Sequence, residues 1–251
     1  MSGKAFFIDT TLCTACRGCQ VACKQWNQLP ATKTENRGSY QNPGDLSFFT
    51  YKLVRFQEHL GADDKPVWYF FPDQCRHCVD PPCKEAAEDV APGGIIVDGQ
   101  YGAVLYNDKL KKADAKEIIE ACPFNIPRAQ KGSGLLAKCT MCIDRISNGL
   151  LPACVKTCPT GAMNFGDRDK MAALAKARQG EAKSKYPKAM VTGLEDLRVF
   201  YLLADDPKKY HTYAMADPVP RGMDRQVALR RIARSLKELS REWRVLNRLA
   251  G

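Results

Sequence analysis

The chain has 251 residues, 45% of them hydrophobic, enough for one large cored domain or two small ones. Its formal charge is +10, but no apolar run approaches the ~20 residues of a membrane-spanning helix, so no transmembrane segment is expected. Twelve cysteines in a chain of this size argue against a small secreted disulfide scaffold, and three histidines argue against acid–base chemistry.

The N-terminal MSGKAFFIDTT has neither a long hydrophobic core nor twin arginines. The chain is therefore expected to be soluble, or exported attached to something else. Residues 4–9 (KAFFID) read as a short strand leading into Cys13, Cys16, Cys19 and Cys23, with a short helix from Gly18 to Lys24. Residues 30–47 are polar and rich in Gly, Asn and Pro, hence a long loop. Strands are predicted from Phe48 to Phe56 and from Val67 to Phe71. Cys75, Cys78 and Cys83 follow. GIIVDGQYGAVLY (94–106) reads as a β-hairpin with turn signals at Asp98-Gly99 and Gly102. Asp114 is placed to cap a helix over 115–121, which leads to Cys122 and Pro123. After Cys139, Cys142, Cys154, Cys158 and Pro159, a strand is expected over Ala162 to Phe165. Asp167 should then cap a helix to about Arg178, and LRVFYLL (Leu197 to Leu203) is a late strand. From about 224, Leu229, Ile232, Leu236, Leu239, Trp243, Leu246 and Ala250 form an apolar seam on a basic helix. That helix suits its own protein, a partner, an anionic membrane surface or a coiled coil.

The cysteines carry the chemistry. The first run is C-x2-C-x2-C-x3-C, and the last is C-x2-C-x11-C-x3-C followed by Pro. These are ferredoxin spacings for [4Fe–4S] clusters, in which the fourth Cys of each run ligates the other cluster. Applied crosswise, Cys13, Cys16, Cys19 and Cys158 hold cluster one, and Cys23, Cys139, Cys142 and Cys154 hold cluster two. The middle run lacks a cysteine at Ala87, and counting back from Cys122 finds Lys112, Ala115 and Ile118. The same rule then gives one cluster three from Cys75, Cys78, Cys83 and Cys122. Structural zinc is the rival reading, favoured by paired C-x2-C knuckles. Three clusters at about −2 each would bring the charge to about +4, which removes the case for nucleic acid. Gly18 and Gly161 allow close backbone approach, and Arg17, Arg76, His77 and Lys138 are cations beside the runs. His77 is expected to be an exposed or hydrogen-bonded ring rather than a ligand.

The predicted fold class is α+β: two ferredoxin-like units, one inserted in the other, with a helical C-terminal tail. Residues 1–45 and 131–170 would form the two-cluster domain, 46–130 the inserted one-cluster unit, and 171–251 a C-terminal extension. No catalytic triad, P-loop or G-x-G-x-x-G is present. No catalytic residue is therefore assigned, and electron transfer is the leading function.

KCTMCIDRISNGLLPACVKTCPTGAMNFGD, CTACRGCQVACKQWN and FPDQCRHCVDPPCK resemble the iron–sulfur subunits that accompany molybdenum or tungsten pterin oxidoreductases of the dimethyl-sulfoxide reductase family. The motifs cover about residues 3–205. Most such subunits have four clusters; the three-cluster version looks most like the small β subunit of formate dehydrogenases from sulfate-reducing bacteria. The resemblance implies a large Mo/W-bis-pterin catalytic subunit with a twin-arginine signal as partner, and hence co-export to the periplasm. It also implies an electron acceptor such as a multihaem cytochrome c or a membrane subunit. The same relay could serve nitrate, polysulfide, thiosulfate or arsenate reduction.

Overall fold

The computed structural model describes residues 2–61 and 63–216; the basic amphipathic helix expected from residue 224 lies outside them. In chain order the elements are β1 (Lys4–Asp9), α1 (Gly18–Trp26), β2 (Leu53–Leu60), β3 (Pro66–Asp73), α2 (Pro82–Ala87), β4 (Ile95–Val97), β5 (Val104–Tyr106), α3 (Ala115–Glu120), β6 (Arg128–Ala129), β7 (Leu136–Ala137), α4 (Ile143–Ile146), α5 (Ala153–Lys156), β8 (Met163–Asp167), α6 (Arg168–Ala182), β9 (Met190–Thr192) and β10 (Val199–Leu203). Among the described residues no helix is long and apolar enough to cross a membrane.

One four-stranded sheet organises the chain, in the order β8-β1-β10-β9. β1 and β10 run parallel; β8 and β9 are antiparallel to their neighbours. KAFFID and VFYLL are apolar at nearly every position because both sheet faces are covered. On one face Phe6, Ile8, Val199, Tyr201 and Leu203 pack with Cys19, Cys154 and Met163. On the other, Ala5, Phe7, Phe200 and Leu202 pack with Ala175 of α6 and with Ala189. The sheet is thus the floor on which the first and last cysteine runs lie.

Three two-stranded hairpins, β2–β3, β4–β5 and β6–β7, fill the middle of the chain. The β2–β3 hairpin is locked to the sheet by charge. Asp73, fully buried, accepts from Arg55 Nε at 2.8 Å and Arg76 Nη1 at 2.9 Å. The Arg76 guanidinium lies over the rings of Phe71, Phe124 and Tyr201, and Tyr201 Oη donates to the Pro72 carbonyl at 3.0 Å. In the β4–β5 turn, Asp98 Oδ1 accepts from the backbone N–H groups of Gln100 and Tyr101.

Two local expectations are corrected. The strand expected from Phe48 begins only at Leu53. Ser47 and Thr50 pair across a tight turn, and Ser47 Oγ accepts from the Phe49 N–H at 3.2 Å, so the aromatic pair sits in a turn. Asp167 does stand at the N-terminus of α6, but its carboxylate makes no cap bond. Lys4 and Lys170 hold it instead, at 2.5 Å and 3.2 Å.

Candidate metal centres

The opening C-x2-C turns of the three runs share one backbone device. Two residues after Cys13, Cys75 and Cys139 stand Ala15, His77 and Met141, all with positive φ (53°, 46° and 61°). That conformation turns the backbone N–H back toward sulfur. His77 N–H donates to Cys75 Sγ and Met141 N–H to Cys139 Sγ, both at 3.4 Å. The Ala15 N–H does the same for Cys13. Cys-Pro endings repeat a second device. Asn125 and Gly161, three residues after Cys122 and Cys158, have φ of 51° and 70°. The N–H groups of Phe124 and Ile126 then reach Cys122, and those of Thr160, Ala162 and Met163 reach Cys158. Gly161 is therefore required by its left-handed backbone rather than by close approach, since a Cβ there would meet nothing within 4 Å. N–H groups aimed at sulfur stabilise thiolate and are the outer shell of a metal–thiolate centre.

Burial and charge group the thiols. Cys13 is pushed up to about 11 by burial first, with Cys19 and Cys158 among its charged neighbours. Burial raises Cys19, and Cys16 and Cys158 add to the rise. Cys23 is raised by burial and then by Cys139, Cys154 and Cys142. Cys78 is raised by burial, then by Cys75, Cys122 and Cys83. Cys122 is pushed up to about 12 by burial, with Cys83 and Cys75 adding to it. For Cys158 burial also works upward, but the surrounding N–H groups and Thr160 outweigh it and the thiol is lowered. Across groups, Cys154 feels Cys19 and Cys139 feels Cys75; the first pair lies in one buried cluster and the second pair in another. Buried thiols clustered in this way become thiolates only when a cation takes the place of their protons.

The group in the middle of the chain surrounds a mostly apolar cavity. Cys75, Cys78, Cys83 and Cys122 all line it, with Pro82, Val104, Phe124 and Ile126 supplying apolar wall. Zinc, with Zn–S near 2.3 Å, needs its ligands converged on one point. Among the described residues no three of His, Cys, Asp and Glu converge so. Four thiols spread around an apolar cavity, with N–H groups behind them, fit a [4Fe–4S] cluster, whose outer irons stand apart.

His77 is fully buried, and its Nδ1 accepts from the Val104 N–H at 3.0 Å. Burial, then Lys138 and Arg198, hold the ring neutral, so it is the hydrogen-bonded ring rather than the exposed one. Arg17, in the left-handed region at the N-terminus of α1, is half-buried, whereas Arg76 and Lys138 are buried. Sequence reasoning missed Lys52, which is buried against thiols from the first and last runs. It also missed Tyr106, whose hydroxyl lies beside the Cys83 thiol. Nothing in the local sequence around either residue marks it. Where the middle repeat lacks cysteine, Ala87 and Ile118 are packed with Ile95, Leu110 and the cavity residues Cys83 and Val104 in one apolar cluster, and Ala115 packs against it.

A family model for a 4Fe-4S dicluster domain matches residues 66–168. The chain is 53% identical over 214 residues to formate dehydrogenase 2 subunit beta (cytochrome c-553) of Nitratidesulfovibrio vulgaris, covering 84% of this chain and 98% of that one. It is 55% identical to the formate dehydrogenase subunit beta of Megalodesulfovibrio gigas, covering 85% and 99%. It is 40% identical to the formate dehydrogenase-O iron-sulfur subunit of Escherichia coli, covering 82% and 69%.

Proposed function

The chain belongs to the iron–sulfur (β) subunits of formate dehydrogenases, and from that premise we propose that it relays electrons through three [4Fe–4S] clusters from a Mo/W-pterin catalytic subunit to an external acceptor. It is an electron-transfer subunit and performs no catalysis of its own. When bound, the clusters take up and release single electrons; the protein supplies ligands, spacing and electrostatics. Cys13, Cys16, Cys19 and Cys158 would hold one cluster, Cys23, Cys139, Cys142 and Cys154 the second, and Cys75, Cys78, Cys83 and Cys122 the third. The observation that carries three rather than four is the apolar packing of Ala87 and Ile118 at the positions a fourth set would use.

The order we propose for the relay is supported by which thiols are buried together between groups. Cys19 beside Cys154 joins the first group to the second, and Cys139 beside Cys75 joins the second to the third. The Cys23 group is then the middle station. Cys16 is exposed, so the Cys13 group reaches the surface and suits the catalytic subunit, while the Cys75 group is the exit. The arrangement as one ferredoxin-like unit inserted in another belongs to this reading. So does export to the periplasm with a twin-arginine partner. The acceptor is read as a c-type cytochrome, after the cytochrome c-553 in the name of the vulgaris relative.

Purification of the chain from its native host tests this. The expected product is a brown complex with a large pterin subunit, found in the periplasmic fraction, whose absorbance near 400 nm falls when formate is added. A large subunit that is inert to formate but active on nitrate, polysulfide, thiosulfate or arsenate would replace the substrate. A colourless protein containing zinc would overturn the relay.

A further inference from the structure

Two buried lysines have no carboxylate to answer them. Lys52 is 2% exposed and Lys138 is 5% exposed. Lys52 Nζ donates to Gln74 Oε1 at 2.5 Å and to the Pro72 carbonyl at 3.4 Å. Lys138 Nζ donates to the Val104 carbonyl at 2.5 Å and the Cys139 carbonyl at 3.1 Å, and lies 4.7 Å from the centre of the Tyr106 ring. Among the described residues neither makes an ion pair. Of the buried arginines, Arg55 and Arg76 share Asp73, while Arg168 and Arg198 donate to backbone carbonyls. A buried ammonium without a counter-charge is strongly unfavourable, so something else must supply the negative charge.

The positions of the two lysines identify it. Around Lys52 the thiol neighbours are Cys19, then Cys154, then Cys139. Cys19 and Cys154 are the pair where the first and second groups meet. Lys138 acts on Cys83 of the third group and on Cys139 of the second, and it lines the cavity of the third. One ammonium therefore stands at each junction of the relay. Four thiolates around a +2 core leave a cluster net negative, and each added electron makes it more so. A fixed positive charge in a low-dielectric setting favours the reduced state of whatever lies beside it.

We propose that Lys52 and Lys138 are the counter-charges at the two junctions and set the reduction potentials of the clusters they separate. Lys52 serves the Cys13 and Cys23 groups, and Lys138 the Cys23 and Cys75 groups. This rests on the three-cluster reading, which iron content of the parent complex checks separately before any variant is made.

The test is an electron-paramagnetic-resonance redox titration of the whole complex carrying Lys52→Met, Lys52→Arg, Lys138→Met or Lys138→Arg. In Lys52→Met the ratio of reduced to oxidised cluster at fixed potential should fall about tenfold at two clusters, a midpoint about 59 mV lower for a one-electron couple. The third cluster keeps its midpoint. Lys138→Met should lower a different pair, with the middle cluster common to both. The arginine variants, which keep the charge, should keep the parent midpoints. Iron lost from a methionine variant but kept in the matching arginine variant also supports the proposal, because charge is the difference between them. Unchanged midpoints in the methionine variants overturn it, as do equal shifts or equal iron loss in both substitutions.

Discussion

Asp73 shows how one buried charge holds the β2–β3 hairpin to the sheet, and His211 shows what burial does to a ring beside it. Burial works to raise the Asp73 carboxyl, but Arg76 and Arg55 outweigh it and hold it below the usual carboxylate range. Its stabilising effect is therefore complete above the unfolded value of about 3.9 and is lost as pH falls through the depressed folded value. Removing one partner of a buried pair costs about 3–5 kcal/mol. Asp73→Asn should accordingly lower the thermal midpoint by on the order of 10 °C, measured by scanning calorimetry. His211 lies 4.0 Å from Asp73 and is pushed down to about 4, with burial the leading cause. The unfolded chain takes up that proton near 6.5. Stability is thus intact above about pH 6.5 and falls as pH drops toward 4. His211→Gln should flatten part of that fall in a thermal-shift series from pH 7 to 4, and the buried neutral His77 accounts for a further part. Neither residue was legible in the sequence. A histidine's burial, and the aspartate it faces from 138 residues away in the chain, are set by tertiary packing that local pattern does not encode.

Elements were legible wherever their signal was local. KAFFID became β1 unchanged because a short apolar run bounded by polar residues needs no distant information. The Asp98 turn and the Asp114 cap depend on side chains bonding backbone one to three residues away, and both are present. Asp114 Oδ1 accepts from the Lys116 N–H at 2.8 Å. Asp114→Ala should remove that bond at a cost of about 1 kcal/mol, seen as a loss of about 2–4 °C in thermal midpoint. Iron content should not change, since Asp114 touches no thiol. Phe48 to Phe56 misled because aromatic alternation marks burial as well as strand, and here Ser47 and Thr50 close a turn first. β9 was missed because three residues, Met190–Thr192, are too few for a period to show, and pairing with β10 makes the strand. Ala87 and Ile118 could be seen as missing cysteines, but their packing with Cys83 in one apolar cluster could not.

At the scale of the molecule, chain order and spatial order part company. β1 lies between β8 and β10, so the first cysteine run is held by strands about 140 residues or more away in the chain. Cys spacing marks each run, and only the crosswise rule joins runs distant in the chain into ligand sets and makes the first and last groups neighbours. It carries nothing about where the Cys75 group sits, since that depends on how the runs settle on the sheet. Cys19 and Cys154 lie in one buried cluster and Cys75 and Cys139 in another, and the proposed relay with the Cys75 group as its terminus is built on that placement. The most direct measurement is therefore Cys122→Ser in the complex with its catalytic subunit. The parent chain should contribute about twelve iron atoms and the variant about eight. Formate should still reduce the remaining clusters of the variant, while reduction of the cytochrome acceptor is abolished. Iron unchanged in the variant, or cytochrome reduction at the parent rate after loss of a cluster, would contradict a linear relay that ends at the Cys75 group.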